Sequence, residues 1–449
     1  MAKTTPDARE WYRASFEGFE NSLNGTGAAT RSLRRQALER FTQTGFPTRR
    51  DERWRHTNPA FLAGTEFHAV LEAPPTSGDG IDLGDHSLAD LGAVELVFVD
   101  GHFSSDLSTL GDLPDGVRVQ SLAQALNQAP DAVLQHLGSR LPADGGFTAL
   151  NTAFLRDGGY LHVPRGIDAT TPVHFLYLTS GASEPSVTHP RSLVVVEESA
   201  RASVVETFAG LGGAGVYLTN AVAEIHAGAN SCVEHLALHR ETADGYHVGS
   251  LHVVEERDCS FISHNLALSG RLVRCDTTTV LDGEGIDSTL NGLFLGADEE
   301  QVDNYTTIEH VRPNCSSHEL YKGILTDRAR GVFRGKIHVH QAAQKTDAYQ
   351  SNQNLLLSDD ADITSKPQLE IYADDVKCSH GSTTGQLDRD AIFYLRARGV
   401  SRPNAIRILT RAFAGEIVDR IGHQGIRERL APLVHDKLEM ELGGRLEEA

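Results

Sequence analysis

From about residue 145 to 385 the chain runs in short stretches where apolar, often β-branched, positions alternate with polar ones. Leu193-Val194-Val195-Val196, Val216-Tyr217-Leu218 and Leu251-His252-Val253-Val254 are examples. Period two marks strands, whose successive side chains face opposite sides. Gly, Asp and Asn separate the stretches, as turns require. Over roughly 200 residues no amphipathic segment of helix length interrupts them. A parallel sheet with helical crossovers needs such segments, so α/β architectures are disfavoured.

A weak recurrence runs through the same region. Leu236-Ala237-Leu238, Leu266-Ala267-Leu268, Leu293-Phe294-Leu295 and Ile324-Leu325 return at intervals of about 27 to 30 residues. Each follows a polar or glycine-bearing turn such as Gly228-Ala229-Asn230 or Gly283-Glu284-Gly285. Coils of a β-solenoid produce this period, because each turn stacks its inward residues on the turn below. A large β-sandwich competes with that reading, and periodicity alone leaves both open.

The flanks differ. Residues 5–60 read as helical, with Arg31 to Thr42 a run of good helix formers broken at Gly45-Phe46-Pro47. Residues 65–140 are mixed, with a strand predicted at Val94–Val99 and a helix from Ser121 to Leu137. After Gly385 the pattern turns helical again. Asp388 is placed to cap a helix through Arg398 that stops at Gly399, and Ser401 caps a second with Pro403 in its first turn. Ile406, Leu409, Phe413 and Ile417 form one stripe of that second helix, and Ile426 to Leu442 is amphipathic too. Such stripes suit core packing or the docking of a partner. The expected organisation is a mostly helical region at 1–140, a β core at 141–386 and a helical region at 387–449.

Charge and cysteine content narrow the class. The 449 residues carry a formal charge of −20, which disfavours a nucleic-acid binder built on clustered Lys and Arg. The first residues lack the apolar core of a secretory signal, and no apolar run approaches the roughly 20 residues that span a bilayer. The five cysteines (Cys232, Cys259, Cys275, Cys315 and Cys378) are scattered, with no Cys-x-x-Cys pair. Neither a disulfide framework nor a four-thiolate zinc site fits, and a reducing cytoplasm does.

Three motifs fail on inspection. Gly210–Gly215 matches the dinucleotide fingerprint, but a strand-like run follows where a helix must bind the pyrophosphate. GVFRGKI (331–337) is one residue short of a P-loop and puts Ile337 where magnesium needs Ser or Thr. GSTTG (381–385) puts threonine at the nucleophile position of a hydrolase elbow. His338 and His340 share one face of a strand and could hold a metal, but no third ligand is evident. His235 and His239 invite the same caution.

Chemistry concentrates at Cys378-Ser379-His380-Gly381. In an extended chain Cys378 and His380 face the same way, and thiolate and imidazole both suit iron or zinc. Two ligands make an incomplete site, to be finished by another chain or to be no site at all.

At this point a resemblance becomes specific. LLLSDDADITSKPQLEIYADDVKCSHGSTTGQLD (355–388), continued by AIFYLRARGV (391–400), resembles the C-terminal signature of the SufD family. GKIHVHQAAQKTDAYQSNQNLLLS (335–358), GFPTRRDERWRHT (45–57) and FTALNTAFLRDGGYLHVP (147–164) fit the same family pattern, although His56 stands where tyrosine is frequent. The paralogous SufB carries a glutamate-flanked histidine where this chain has Cys-Ser-His-Gly. The resemblance implies a right-handed parallel β-helix with helical N- and C-terminal regions. It also implies a non-catalytic scaffold that pairs with SufB and carries the SufC ATPase on its C-terminal helices, here 388–398 and 402–420. The cargo is then a transient iron–sulfur cluster formed where the two scaffolds meet, with His380 the main candidate ligand and Cys378 a weaker one. Flavin binding, and self-pairing in the absence of SufB, come with the resemblance and have no motif here. A β-helix enzyme acting on polysaccharide is the runner-up. Against it stand the missing signal, the 6% aromatic content and the C-terminal helices. A metal hydrolase built on His338, His340 and a carboxylate is the third reading.

Overall fold

Each coil of the central region turns at a residue with positive φ. Ser199, Asn230, Asp258, Gly285, Asn314 and Lys345 lie at 60°, 56°, 56°, 73°, 61° and 60°. Gly, Asn and Asp enter that region at least cost, which is why the sequence punctuates its strands with them. The corners also bond from coil to coil: Asn230 N donates to Arg257 O (2.7 Å), Asp258 N to Glu284 O (2.8 Å) and Asn314 N to Gln344 O (3.0 Å). The computed structural model describes residues 8–23, 27–74, 81–139, 141, 145–181 and 184–443. The first and last residues of the expected helical regions, 5–7 and 444–449, lie outside them.

Two parallel sheets result. One runs through Asp168–Thr179, Arg201–Gly210, Cys232–Arg240, Ser260–Ser269, Asp287–Gly296, Ser316–Leu325, Asp347–Leu356 and Lys377–Gly385. The other runs through Gly159–Val163, Arg191–Val196, Tyr217–Ala227, Gly245–Glu255, Leu272–Leu281, Gln301–His310 and Arg330–Val339. The chain alternates between them, so this is a parallel β-solenoid of about eight coils, and the sandwich reading falls. Its core lies between the sheets, where Val204, Val233, Phe261, Leu290 and Tyr321 of one meet Val194, Ile225, Val253, Ile308 and Phe333 of the other.

The recurring leucines mark the coil length but not the inward face. Leu238, Leu266 and Leu293 stack in register, as do Leu295 and Ile324, on the outer face. There they are covered by Ile406, Ala414, Ile417, Ile426, Leu430, Val434 and Leu438 of the helices Arg402–Val418 and Gln424–Gly443. A sheet buried on both faces loses its clean alternation, so inward and outward residues look alike in sequence. Asp388 caps Arg389–Ala397 by accepting from Asp390 N (2.8 Å), Ser401 caps Arg402–Val418, and Gly399 sits at φ 88°. The predicted stripe of the second helix is core packing.

The N-terminal helices Ala8–Asn21 and Ala28–Thr44 cover the opposite sheet, where Tyr12, Phe41, Trp54 and Phe147 pack on Leu218, Val248 and Leu272. Val94–Val99 pairs in parallel with Asp168–Thr179, while Arg118–Ser121 pairs antiparallel with Gly159–Val163. The mixed region thus closes one end of the solenoid. The helix predicted from Ser121 to Leu137 is two, Leu122–Gln128 and Pro130–Leu134, because Pro130 cannot continue the first.

Candidate functional site

The other end of the solenoid stays open. Lys377–Gly385 is the edge strand of its sheet, paired among the described residues with Asp347–Leu356 alone, and most of it is exposed. In that register Cys378 stands beside Ala348 and His380 beside Gln350. Ala348 and Gln350 are buried and face the space between the sheets, so Cys378 and His380 continue that face past the last closed coil. The structure thus brings both residues to one face, Cys378 half-buried and His380 exposed. Cys378 packs beside Val339, Ala343 and Ala373, and burial, with the Asp347 carboxylate second, pushes its thiol up. The His380 imidazole has no hydrogen bond or ion pair among the described residues.

Beneath His380 the interior becomes polar. Its column in register reads Leu290, Glu319, Gln350, His380. Gln350 Nε2 donates to Glu319, whose carboxyl is raised by burial to about 7. In the adjoining column Ser382 Oγ bonds Ser365 Oγ (2.8 Å), Ser365 donates to Asn352 Oδ1 (2.7 Å), and Asn354 Nδ2 donates to the same oxygen (2.7 Å). Hydroxyls and amides therefore run from the exposed edge into the core.

His338 lies elsewhere, on the outer face of Arg330–Val339, and His340 follows just past the end of that strand. Their rings stack at 4.3 Å, and Glu309 stands 3.9 Å from His340. No group of three His, Cys, Asp or Glu side chains among the described residues is placed to hold a metal ion. His235 and His239 point inward. His235 bonds Glu206 (2.9 Å) and Ser263 (3.1 Å), and His239 bonds Asn265 (2.9 Å) and lies 3.4 Å from Cys275 Sγ. Burial drives His239 well below the usual imidazole range and pushes the Cys275 thiol up to about 12, so both are neutral packing groups. Sequence reasoning missed this interior network, which also holds His247–Glu241 (2.9 Å), and it missed the buried pair His174–Glu95 (2.7 Å) on the outer face of the same sheet. The coil length was the usable signal: His235 and Glu206 are 29 residues apart, one coil.

All three tempting motifs are ordinary backbone here. Gly210–Gly215 is the turn between two strands, GVFRGKI lies within Arg330–Val339, and GSTTG lies within Lys377–Gly385. All five cysteines are free thiols, and no described helix is long and apolar enough to cross a membrane.

Comparison with known proteins agrees with this geometry. Residues 177–413 match the family described as SUF system FeS cluster assembly, SufBD core domain, and residues 7–175 match the SufBD protein N-terminal region. The iron-sulfur cluster assembly protein SufD of Escherichia coli is 32% identical over 407 residues, covering 90% of this chain and 92% of that protein. An iron-sulfur cluster assembly SufBD family protein of Synechocystis is 32% identical over 408 residues, 89% of each chain. SufD of Bacillus subtilis is 27% identical over 295 residues, covering 65% of this chain and 66% of that protein. The chain therefore belongs to the SufBD family of iron–sulfur cluster assembly proteins, as a SufD-type member.

Proposed function

We propose that this protein is a non-catalytic cytoplasmic scaffold that pairs with a SufB-type partner, carries a SufC-type ATPase and helps hold a nascent iron–sulfur cluster as cargo. The observation that carries the reading is His380, an imidazole without a protein partner on the unpaired edge strand at the open end of the solenoid. An edge strand offers unsatisfied N–H and C=O groups to a second chain, and a partner's strand laid there would bury His380 between the two. Two donors from this chain are too few for a cluster, so a ligand set shared across the junction accounts for an incomplete site in an ordered place. Cys378, with its weakened acidity, is the lesser contributor. Self-pairing through the same edge in the absence of the partner belongs to this proposal, and so does any flavin, for which we assign no residues.

The ATPase dock lies on the C-terminal helices. Arg389–Ala397 buries none of its residues and exposes Phe393 (72%) and Tyr394 (56%), while Ile408 stands on the outer face of Arg402–Val418. Neighbouring exposed aromatics suit an interface better than open solvent. Closure of two ATPase subunits on ATP would pull on both scaffolds and reshape their junction, a population shift driven by nucleotide. Replacing Phe393 and Tyr394 together by alanine is the test. Co-purification of the ATPase should drop at least about tenfold, the loss of one hot-spot aromatic, while the solenoid unfolds at the wild-type temperature. Retained ATPase binding would place the dock elsewhere.

A further inference from the structure

The N-terminal region encloses a cavity of about 320 Å³ that the scaffold account leaves unused. Its wall is formed by Ser22 and Leu23 just after the Ala8–Asn21 helix, by the Ala28–Thr44 helix, by the His102–Thr109 strand, and by the Leu122–Gln128 helix with Arg156 and Asp157. Two guanidinium groups share it. Arg34 is only 3% exposed; its Nε donates to Leu155 O (2.7 Å), and its Nη1 has no hydrogen-bond partner among the described residues. Arg156 donates from Nη2 to Ser22 Oγ (2.8 Å) and lies 5.3 Å from the Phe19 ring centroid. Neither forms an ion pair among the described residues.

The nearby carboxylates are committed. Glu20 is gripped by Arg35 through bonds of 2.6 and 3.1 Å. Asp157 accepts from the N–H groups of Ala123 (2.9 Å) and Gly158 (2.8 Å), and burial raises its carboxyl to about 6. Burial lowers both arginines, Arg34 to about 10, and Arg156 adds like-charge repulsion to Arg34. A buried charge without its counter-charge is among the costlier features of a fold. Water in the cavity would satisfy Nη1 but would supply no charge. The imbalance is also local: in a chain of net charge −20, Glu20 acts on Arg34 and Asp157 on Arg156 only at a distance, and neither closes an ion pair with them among the described residues.

We infer that the cavity binds a small phosphate-type oxyanion, with Arg34 and Arg156 as its charged partners and Ser22, Thr30 and Asn127 as hydrogen-bonding neighbours. Guanidinium forks match tetrahedral oxyanions with paired N–H donors, and the volume is at the lower end of small-molecule sites. Free phosphate and the phosphate of a small ester share this chemistry. The site lies on helices outside the open end of the solenoid and is independent of the scaffold reading.

The test is calorimetric titration of the full-length chain with inorganic phosphate, and separately with glucose 6-phosphate, at fixed ionic strength set by sodium chloride. Saturable binding at one site is expected. Arg156→Gln should weaken it about tenfold or more, as loss of a charge-assisted contact does. Asn127→Asp, at an exposed rim position that the fold tolerates, should weaken it comparably by repulsion. Arg40→Gln, at an exposed position outside the cavity, should leave it unchanged. Phosphate binding alone identifies the free anion as ligand, and tighter binding of the ester identifies a phosphorylated small molecule. Absence of saturable heat with both probes, or binding untouched by both Arg156→Gln and Asn127→Asp, would overturn the inference.

Discussion

Replacing Glu319 by glutamine should make the protein more stable, and only above a defined pH. Glu319 is 1% exposed inside the solenoid, and burial lifts its carboxyl from 4.5 to about 7. Between those values the unfolded chain releases the proton while the folded chain keeps it. The folded state then binds more protons, so stability falls as pH rises through the window. At 1.36 kcal/mol per unit, a shift of about 2.5 units removes about 3 kcal/mol by pH 8. Glutamine keeps the shape and still accepts from Gln350 Nε2, but it never has to ionise in the core. Urea unfolding of wild type and Glu319→Gln at pH 5, 6, 7 and 8 should give curves that nearly meet at pH 5 and part by about 3 kcal/mol at pH 8. Glu255, raised to about 8, and Asp303, raised to about 6, bend both curves alike, so the difference isolates Glu319. Parallel curves, or a variant less stable at pH 8, would show that Glu319 is ionised in the folded state and would refute the reasoning.

Other substitutions probe the packing and the site. Leu266→Ala, at the buried centre of the leucine ladder under the C-terminal helices, should cost about 3 kcal/mol in urea unfolding and speed proteolytic release of those helices. Arg274→Met should cost about 3 to 5 kcal/mol. Its guanidinium lies 3.9 Å from both the Trp54 and Tyr305 ring centroids and pairs with Asp276 (3.0 Å) and Asp303 (3.8 Å), so its loss strands the buried Asp303 carboxylate and leaves Asp276 with Arg53 alone. Thermal unfolding followed by tryptophan fluorescence measures it. With its thiol pushed up, Cys378 should react with iodoacetamide more slowly at pH 8 than an unstructured cysteine peptide, and the gap should narrow as pH rises; equal rates at pH 8 would contradict the burial.

Much of the fold is legible because it is local or periodic. Asp388, Gly399 and Ser401 set the helix boundaries from their own side chains or lack of one, and one turn residue per coil fixes the period. What escapes is whatever needs a distant partner. Val94–Val99 reads as a strand, but its place in the solenoid sheet depends on Asp168–Thr179, far along the chain. The facing of Leu266 cannot be read either, because helices that begin at Arg402 bury a surface that would otherwise be polar. At the site, the shared face of Cys378 and His380 follows from strand periodicity alone. Their position on an unpaired edge does not, since it depends on where the coils stop. The Arg34–Arg156 cavity was illegible for the same reason: its two charges lie on separate elements that only the folded helices bring together.

The most direct test of the scaffold account is His380→Ala in the assembled complex. The chain would be co-expressed with its SufB- and SufC-type partners and purified without oxygen, and iron and sulfide would be measured against wild type. The account predicts an intact three-protein complex that has lost most of its iron and sulfide. An intact complex with full iron and sulfide would make His380 a bystander and contradict the shared-ligand site.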